Sequence, residues 1–378
     1  MKIAFYAPLK SPGHPRPSGD RRLARYFMEA LRMAGCQTEL ASELRAWEGE
    51  GDARRQAEIK ARGQRDAERL IAEYRQRRPA ERPRCWFTYH LYHKAPDWLG
   101  PAVSAALGIP YVAAEASVAN KQGRGAWRDG YLASVAAIAR ARLIFNLNSN
   151  DLAGLQPHVG DAARIVPLKP FADIPPPAAA DKIRLRRGLA GRRGIDPGGR
   201  WLLCVAMMRA GSKRDSYRIL ADALARLKRD DWQLLVAGDG AAAQSVRDEF
   251  QRRVPGRAHF LGRLDSAGVH DAMRAADLLV WPACNEAFGM AVLEALGCGL
   301  PVVAGRSGGI GDIIEHAVTG MLIDQVDGAS MAAAIDKLLA APATLARMSA
   351  ASTVKFNRFH RLDRAAAELR SALFSLVG

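Results

Sequence analysis

Cysteine is scarce in this chain of 378 residues. Cys36, Cys85, Cys204, Cys284 and Cys298 are odd in number, no two form a C-x-x-C, and none falls in metal-finger spacing. That excludes a disulfide scaffold and reads as scattered buried thiols of a reducing compartment. A long apolar run is also missing. The longest uncharged stretch, 98–114, is interrupted by Gly100, Pro101, Gly108 and Pro110 and reads as helix, turn and strand. The apolar start, 1–9, is too short for a signal segment and lacks a small-residue cleavage site. There is no H-E-x-x-H or other metal-ligand spacing, and no RNP, KH, zinc-finger or bZIP signature. Internal repeats and low-complexity tracts are absent. These gaps predict a cytoplasmic protein with no metal site, no cofactor and no transmembrane segment.

What is present is ordinary globular composition: 49% hydrophobic, 25% charged, 34 Gly and 20 Pro. The length suits two domains of about 100–200 residues each, with ample core. The balance of 55 basic to 39 acidic side chains gives +16. A surface that basic attracts anions, whether nucleic acid, acidic lipid or a phosphorylated ligand.

Short apolar runs alternate with helical patterns. Strands are predicted at 2–9, 85–91, 109–114 and 143–147, with helices at 22–33, 96–107 and 125–140. Such alternation implies parallel βαβ units with right-handed crossovers. The stretch 52–84 holds eleven basic and six acidic side chains with few apolar ones. It reads either as a salt-bridged surface helix or as an electropositive face for anionic lipid. From 171 to 200 the pattern breaks. Pro175, Pro176 and Pro177 precede an Arg/Gly-rich run that includes Arg184, Arg186 and Arg187, which predicts a linker. Strands then recur at 201–206, 233–237, 258–261, 278–281 and 301–303, and a final helix is predicted at 361–376.

The expected division is a first domain over 1–170, the linker 171–200, a second domain over 201–350, and a helical segment 351–378 free to cross back to the first. Open parallel sheets bind ligands beyond the carboxyl ends of their strands. The informative residues should therefore sit just after strands.

The strongest such signal runs from Asn285 to Val303, reading NEAFGMAVLEALGCGLPVV. A strand leads into a loop holding Glu286, and a helix then begins near Phe288 and carries Glu294. The seven intervening residues put one carboxylate at the helix entrance and the other about two turns in. Gly289 permits close approach to the backbone. The exposed amides of Phe288, Gly289 and Met290 suit a phosphate. Carboxylates beside a phosphate suit a polyhydroxylated ligand. A helix acid that only satisfies the dipole is the plainer alternative.

This stretch resembles the retaining family-4 glycosyltransferases, with their Glu-x7-Glu motif. The similarity extends from about 201 to 339 through Gly238-Asp239-Gly240, Gly262-Arg263-Leu264, Ala276-Asp277-Leu278, Gly308-Gly309-Ile310-Gly311 and Thr319-Gly320. It implies the GT-B architecture, two Rossmann-like doubly wound α/β domains facing a central cleft. It implies a catalytic role for Glu286 on donor-sugar hydroxyls, and for Arg209 and Lys213 on the donor diphosphate, with Arg214 an alternative to Lys213. Glu294 would bind the ribose, with Phe288, Gly289, Met290, Gly19 and Arg263 also on the donor. Cations that meet the leaving diphosphate stabilise the transition state more than the ground state. In the first half, His90, His93 and Glu115 are candidates for the acceptor side, with a purely structural histidine the alternative for either His. Glu115 stands where many relatives have a His.

The implied reaction moves a sugar, with retention, from a nucleotide sugar to a hydroxyl of a saccharide or lipid-linked acceptor. That fits cell-envelope polysaccharide or glycolipid synthesis at the inner face of the cell membrane, with an anionic membrane surface as a further partner. Two other readings stand beside it: a nucleotide-sugar epimerase of the same architecture, and a basic nucleic-acid binder suggested only by charge.

Overall fold

The computed structural model describes residues 1–159, 164–175 and 181–377. They form two compact units, one of Met1–Phe171 with Leu362–Gly378 and one of Ala172–Arg361.

The first unit is built on β1 (Lys2–Tyr6), β2 (Gln37–Ser42), β3 (Cys85–Leu91), β4 (Tyr111–Ala116), β5 (Leu143–Asn146) and β6 (Ile165–Pro167). All pair in parallel, in the order β2-β1-β3-β4-β5-β6. The helices between them are α1 (Gly19–Met33), α2 (Ala53–Gln76), α3 (Gly100–Leu107), α4 (Arg128–Arg140) and the short α5 (Leu152–Leu155). Helix α1 starts where Ser18 Oγ accepts the Arg21 amide at 3.2 Å. It buries Leu23, Ala24, Phe27, Ala30 and Leu31 at helical spacing.

The second unit contains α6 (Asp181–Arg193), β7 (Arg200–Val205), α7 (Ser212–Ala225), β8 (Trp232–Ala237), α8 (Ala243–Arg253), β9 (Ala258–Gly262) and α9 (Ser266–Ala275). It continues with β10 (Leu278–Trp281), α10 (Met290–Gly297), β11 (Val302–Gly305), α11 (Ile310–Ile313), β12 (Gly320–Ile323), α12 (Gly328–Leu339) and α13 (Pro342–Phe359). Its parallel sheet has the order β12-β11-β10-β7-β8-β9. The last helix, α14 (Leu362–Val377), belongs to the first unit and packs on α1.

In each sheet the chain reverses its direction of travel once. The reversal falls between β1 and β3 in the first unit and between β7 and β10 in the second. Loops leaving those paired strands diverge to opposite faces, which opens a crevice at their carboxyl ends.

Three strands went unpredicted: β2, β6 and β12. β2 lies at a sheet edge with a partly exposed, polar-rich sequence, QTELAS, so neither a clean alternation nor an apolar run marks it. The segment expected to be a linker is corrected. It contains α6, which packs on α9. Arg186 within it is not merely solvated charge. Arg186 stacks 4.7 Å above the Trp201 ring and pairs with Asp277 Oδ2 at 3.2 Å, while Lys182 meets Asp277 Oδ1 at 2.8 Å. The apolar part of the arginine stem covers the tryptophan and its head serves a carboxylate that is only 10% exposed. Pro176 and Pro177 lie outside the described residues.

Helix α2 is salt-bridged as the plainer reading of 52–84 expects. Arg69 pairs with Glu73 at 3.2 Å and Arg77 with Glu39 at 2.8 Å. Its buried side is Gly63, Ala67, Leu70 and Tyr74. Among the described residues no single helix is long and apolar enough to cross a membrane.

Candidate functional site

In the second unit the crevice is walled by the loops after β7 and β10. The β7 loop runs over 206–211 into α7. It is clamped against the loop after β8: the Met208 amide donates to Asp239 O at 3.0 Å, and the Ala242 amide to Met208 O at 2.9 Å. A Cβ at Gly240 would lie 2.2 Å from Met208 O, so only glycine allows this approach. Gly238-Asp239-Gly240 is thus a turn that shapes the neighbouring loop. Helix α7 then delivers Lys213 in its first turn.

The β10 loop, 282–289, is a sequence of left-handed turns. Ala283, Asn285 and Gly289 have φ of 59°, 48° and 81°. For Ala283 that backbone is strained, and such strain gathers at functional sites. The loop is tied from two sides. Ser216 Oγ accepts the Cys284 amide at 3.0 Å, and Ser307 Oγ accepts the Glu286 amide at 3.1 Å. The result aims Glu286 at Lys213. The lysine Nζ donates to Glu286 Oε2, and the Trp281 indole donates to the same oxygen at 3.2 Å. Both charged side chains are mostly covered, Lys213 15% and Glu286 18% exposed.

Beyond Glu286 the chain turns at Gly289 into α10. No side chain caps that helix. Its first amides have no i−4 carbonyl, which leaves an open, partly positive terminus with Phe288 buried behind it. Glu294 is buried one helix turn further along. Met290 opens the helix, half-buried.

Arg209 and Arg263 are exposed, on the β7 loop and just after β9. Neither makes an ion pair among the described residues. The structure therefore brings Lys213, Glu286 and the start of α10 together and leaves both arginines outside that contact. Sequence reasoning missed the supports: Trp281, Ser216 and Ser307. Only Trp281 carried a signal, as a polar-tipped aromatic ending a strand.

The first unit has a second charged cluster at its own reversal point. His90 and Glu115 sit near the carboxyl ends of β3 and β4, both left-handed at φ 64° and 53°. His90 Nδ1 lies 3.3 Å from Asp20 Oδ1 and 3.8 Å from Glu115 Oε1. Burial disfavours a charged ring here, but the Glu115 and Asp20 carboxylates outweigh it and raise the His90 pKa to about 9. Burial pushes the Glu115 carboxyl up as well. Asp20 follows directly on Gly19, the first residue of α1, and was not foreseen. His93 behaves in the opposite way. Burial, then Lys94 and Lys121, pull it down to about 4, so it is neutral beside Trp127.

Residues 199–341, all within the second unit, match the family model of glycosyl transferases group 1. The chain is 34% identical over 223 residues to a D-inositol 3-phosphate glycosyltransferase of Pseudarthrobacter chlorophenolicus, covering 57% of this chain and 51% of that protein. It is 29% identical over 241 residues to the enzyme of the same name from Mycolicibacterium vanbaalenii, covering 60% and 52%. The chain thus spans about half the length of the curated relatives it matches.

Among solved structures it is similar to Anabaena Alr3699/HepE in complex with UDP, with TM-score 0.76 and 18% identity over all of both chains. It is similar to the sucrose-phosphate synthase of Thermosynechococcus elongatus, with TM-score 0.78 and 18% identity over 100% and 99% of the two chains. At these identities the likeness establishes the fold, two parallel six-stranded α/β domains of the GT-B glycosyltransferase type.

Proposed function

We propose that this chain is a retaining glycosyltransferase of the family-4 type, which moves a sugar from a nucleotide sugar to a hydroxyl of a saccharide or lipid-linked acceptor. One observation carries the reading. A lysine from the loop-helix after β7 and a carboxylate from the loop after β10 meet at the reversal point of a parallel sheet, beside an uncapped helix terminus.

Each part has work in such a reaction. Lys213 and the first amides of α10 would neutralise the diphosphate, whose charge grows as the bond to the sugar breaks. Exposed Arg209 would join them once that anion is in place. Glu286 would accept hydrogen bonds from the sugar hydroxyls, and Glu294 from the ribose. In the retaining route the acceptor oxygen attacks from the face that the phosphate leaves, and the departing phosphate oxygen takes the acceptor proton. These residues then need supply no nucleophile of their own, and no cofactor is invoked.

UDP-glucose is the first donor to try, because HepE structures hold UDP and UDP-glucose. D-inositol 3-phosphate is the first acceptor to try, from the names of the relatives. For a lipid-linked acceptor, exposed Arg55, Arg62 and Arg65 of α2 would meet anionic lipid at the inner face of the membrane. Vesicle flotation tests that part. The whole reading is tested by incubating the chain with a panel of nucleotide sugars, with and without acceptor, and measuring released nucleoside diphosphate. Acceptor-stimulated release supports it; no release from any donor contradicts it.

A further inference from the structure

We propose that Trp281 is the positioning residue of this site, an indole that fixes Glu286 beside Lys213. The proposal rests on the functional reading above and adds a residue to it. The indole Nε1 donates to Glu286 Oε2 at 3.2 Å, and the Lys213 ammonium lies 5.2 Å from the centroid of the same ring. The acid is held by a charge-assisted hydrogen bond, and the lysine rests over the face of the ring, which a phenylalanine would also offer.

The indole is itself immobile. It is 4% exposed, it ends β10, and it stands in register with Ala304 of β11. Tyr217 packs edge-on to it at 5.2 Å, and the Tyr217 hydroxyl is tied to Ala206 O at 2.8 Å. A strand, not a loop, therefore sets where the indole N–H points.

The choice of side chain matters because an indole can donate and cannot accept. Lys213 and Trp281 both bond Glu286 Oε2. When a diphosphate draws the lysine away, the carboxylate loses its cation. The indole bond comes from the fold and persists, so Oε2 stays in place and Oε1 is turned to the sugar. Phenylalanine would keep the packing on Tyr217 and lose this bond.

The test uses the full chain with UDP-glucose and, separately, UDP, which lacks the sugar that Glu286 would hold. In Trp281→Phe, UDP release from UDP-glucose should fall about 10- to 100-fold in kcat, the loss expected for one hydrogen bond to a charged group. UDP affinity by calorimetry should stay within about twofold, a split that general damage to the sheet would not give. Unchanged turnover overturns the proposal, and so does a matching loss of turnover and UDP affinity.

A second measurement needs neither a folded Trp281 variant nor a correct donor. The Trp281 indole proton resonance should move upfield in Glu286→Gln, and an unmoved signal overturns the proposal. Should the wild-type chain bind no UDP and turn over no nucleotide sugar, the functional reading falls, and the indole signal still decides the positioning claim.

Discussion

Lys213 and Glu286 neutralise each other across the loops after β7 and β10. On the proposed function, a donor would replace this ion pair with two new contacts, phosphate on the lysine and hydroxyls on the acid. Removing one partner leaves the other partly buried and unpaired. Glu286→Gln should lower nucleotide-sugar turnover by about 100- to 1,000-fold, the usual cost of one lost transition-state contact. Lys213→Met should weaken UDP itself. Diphosphate release and UDP calorimetry on the two variants separate these effects.

Gly289 makes the turn into α10 at φ 81°, and a Cβ there would meet Ile310 Cγ1 at 3.1 Å. Gly289→Ala should destabilise the second unit by about 1–3 kcal/mol, the cost of a left-handed non-glycine residue. It should also weaken UDP, because the first amides of the helix turn with it. A urea melt and a UDP titration check the two effects.

Asp277 anchors the segment that the sequence suggested was a linker. It accepts from Lys182, Arg186 and the Trp201 amide at 2.8, 3.3 and 2.8 Å. Asp277→Asn should cost about 3–5 kcal/mol, as expected when one member of a buried ion pair is removed. Limited proteolysis should then cut within 181–193 before the rest of the chain.

His90 sets a pH dependence in the first unit. Its folded pKa is about 9, above the ordinary value of about 6.5. The stabilisation is fully present below that ordinary value. It is lost as pH rises through the folded value, because the folded state then holds a proton more tightly than the unfolded chain. The melting temperature should fall between pH 6.5 and about 9 in the wild type. Glu115→Gln should flatten that slope.

Much of this was legible in the sequence because period and position carry it. Parallel α/β order follows from strands alternating with helices, and Glu286, Gly289 and Glu294 follow from a loop and helix after the 278–281 strand. The loop-helix after β7 that holds Lys213 and the strand end that holds His90 were legible in the same way. The linker was misread because Arg186 looks solvated until Trp201 and Asp277 are seen beneath it. Asp20 and Trp281 went unassigned because their partners are 70 residues away in one case and across a strained loop in the other. The left-handed Ala283 leaves no trace in residue type at all.

The most direct test is a crystal structure of the chain with UDP-glucose. The account predicts the diphosphate on the Gly289 and Met290 amides with Lys213 swung onto it, and Glu286 released from the lysine to the glucose hydroxyls. A nucleotide bound elsewhere, with the Lys213–Glu286 pair still closed, would contradict it.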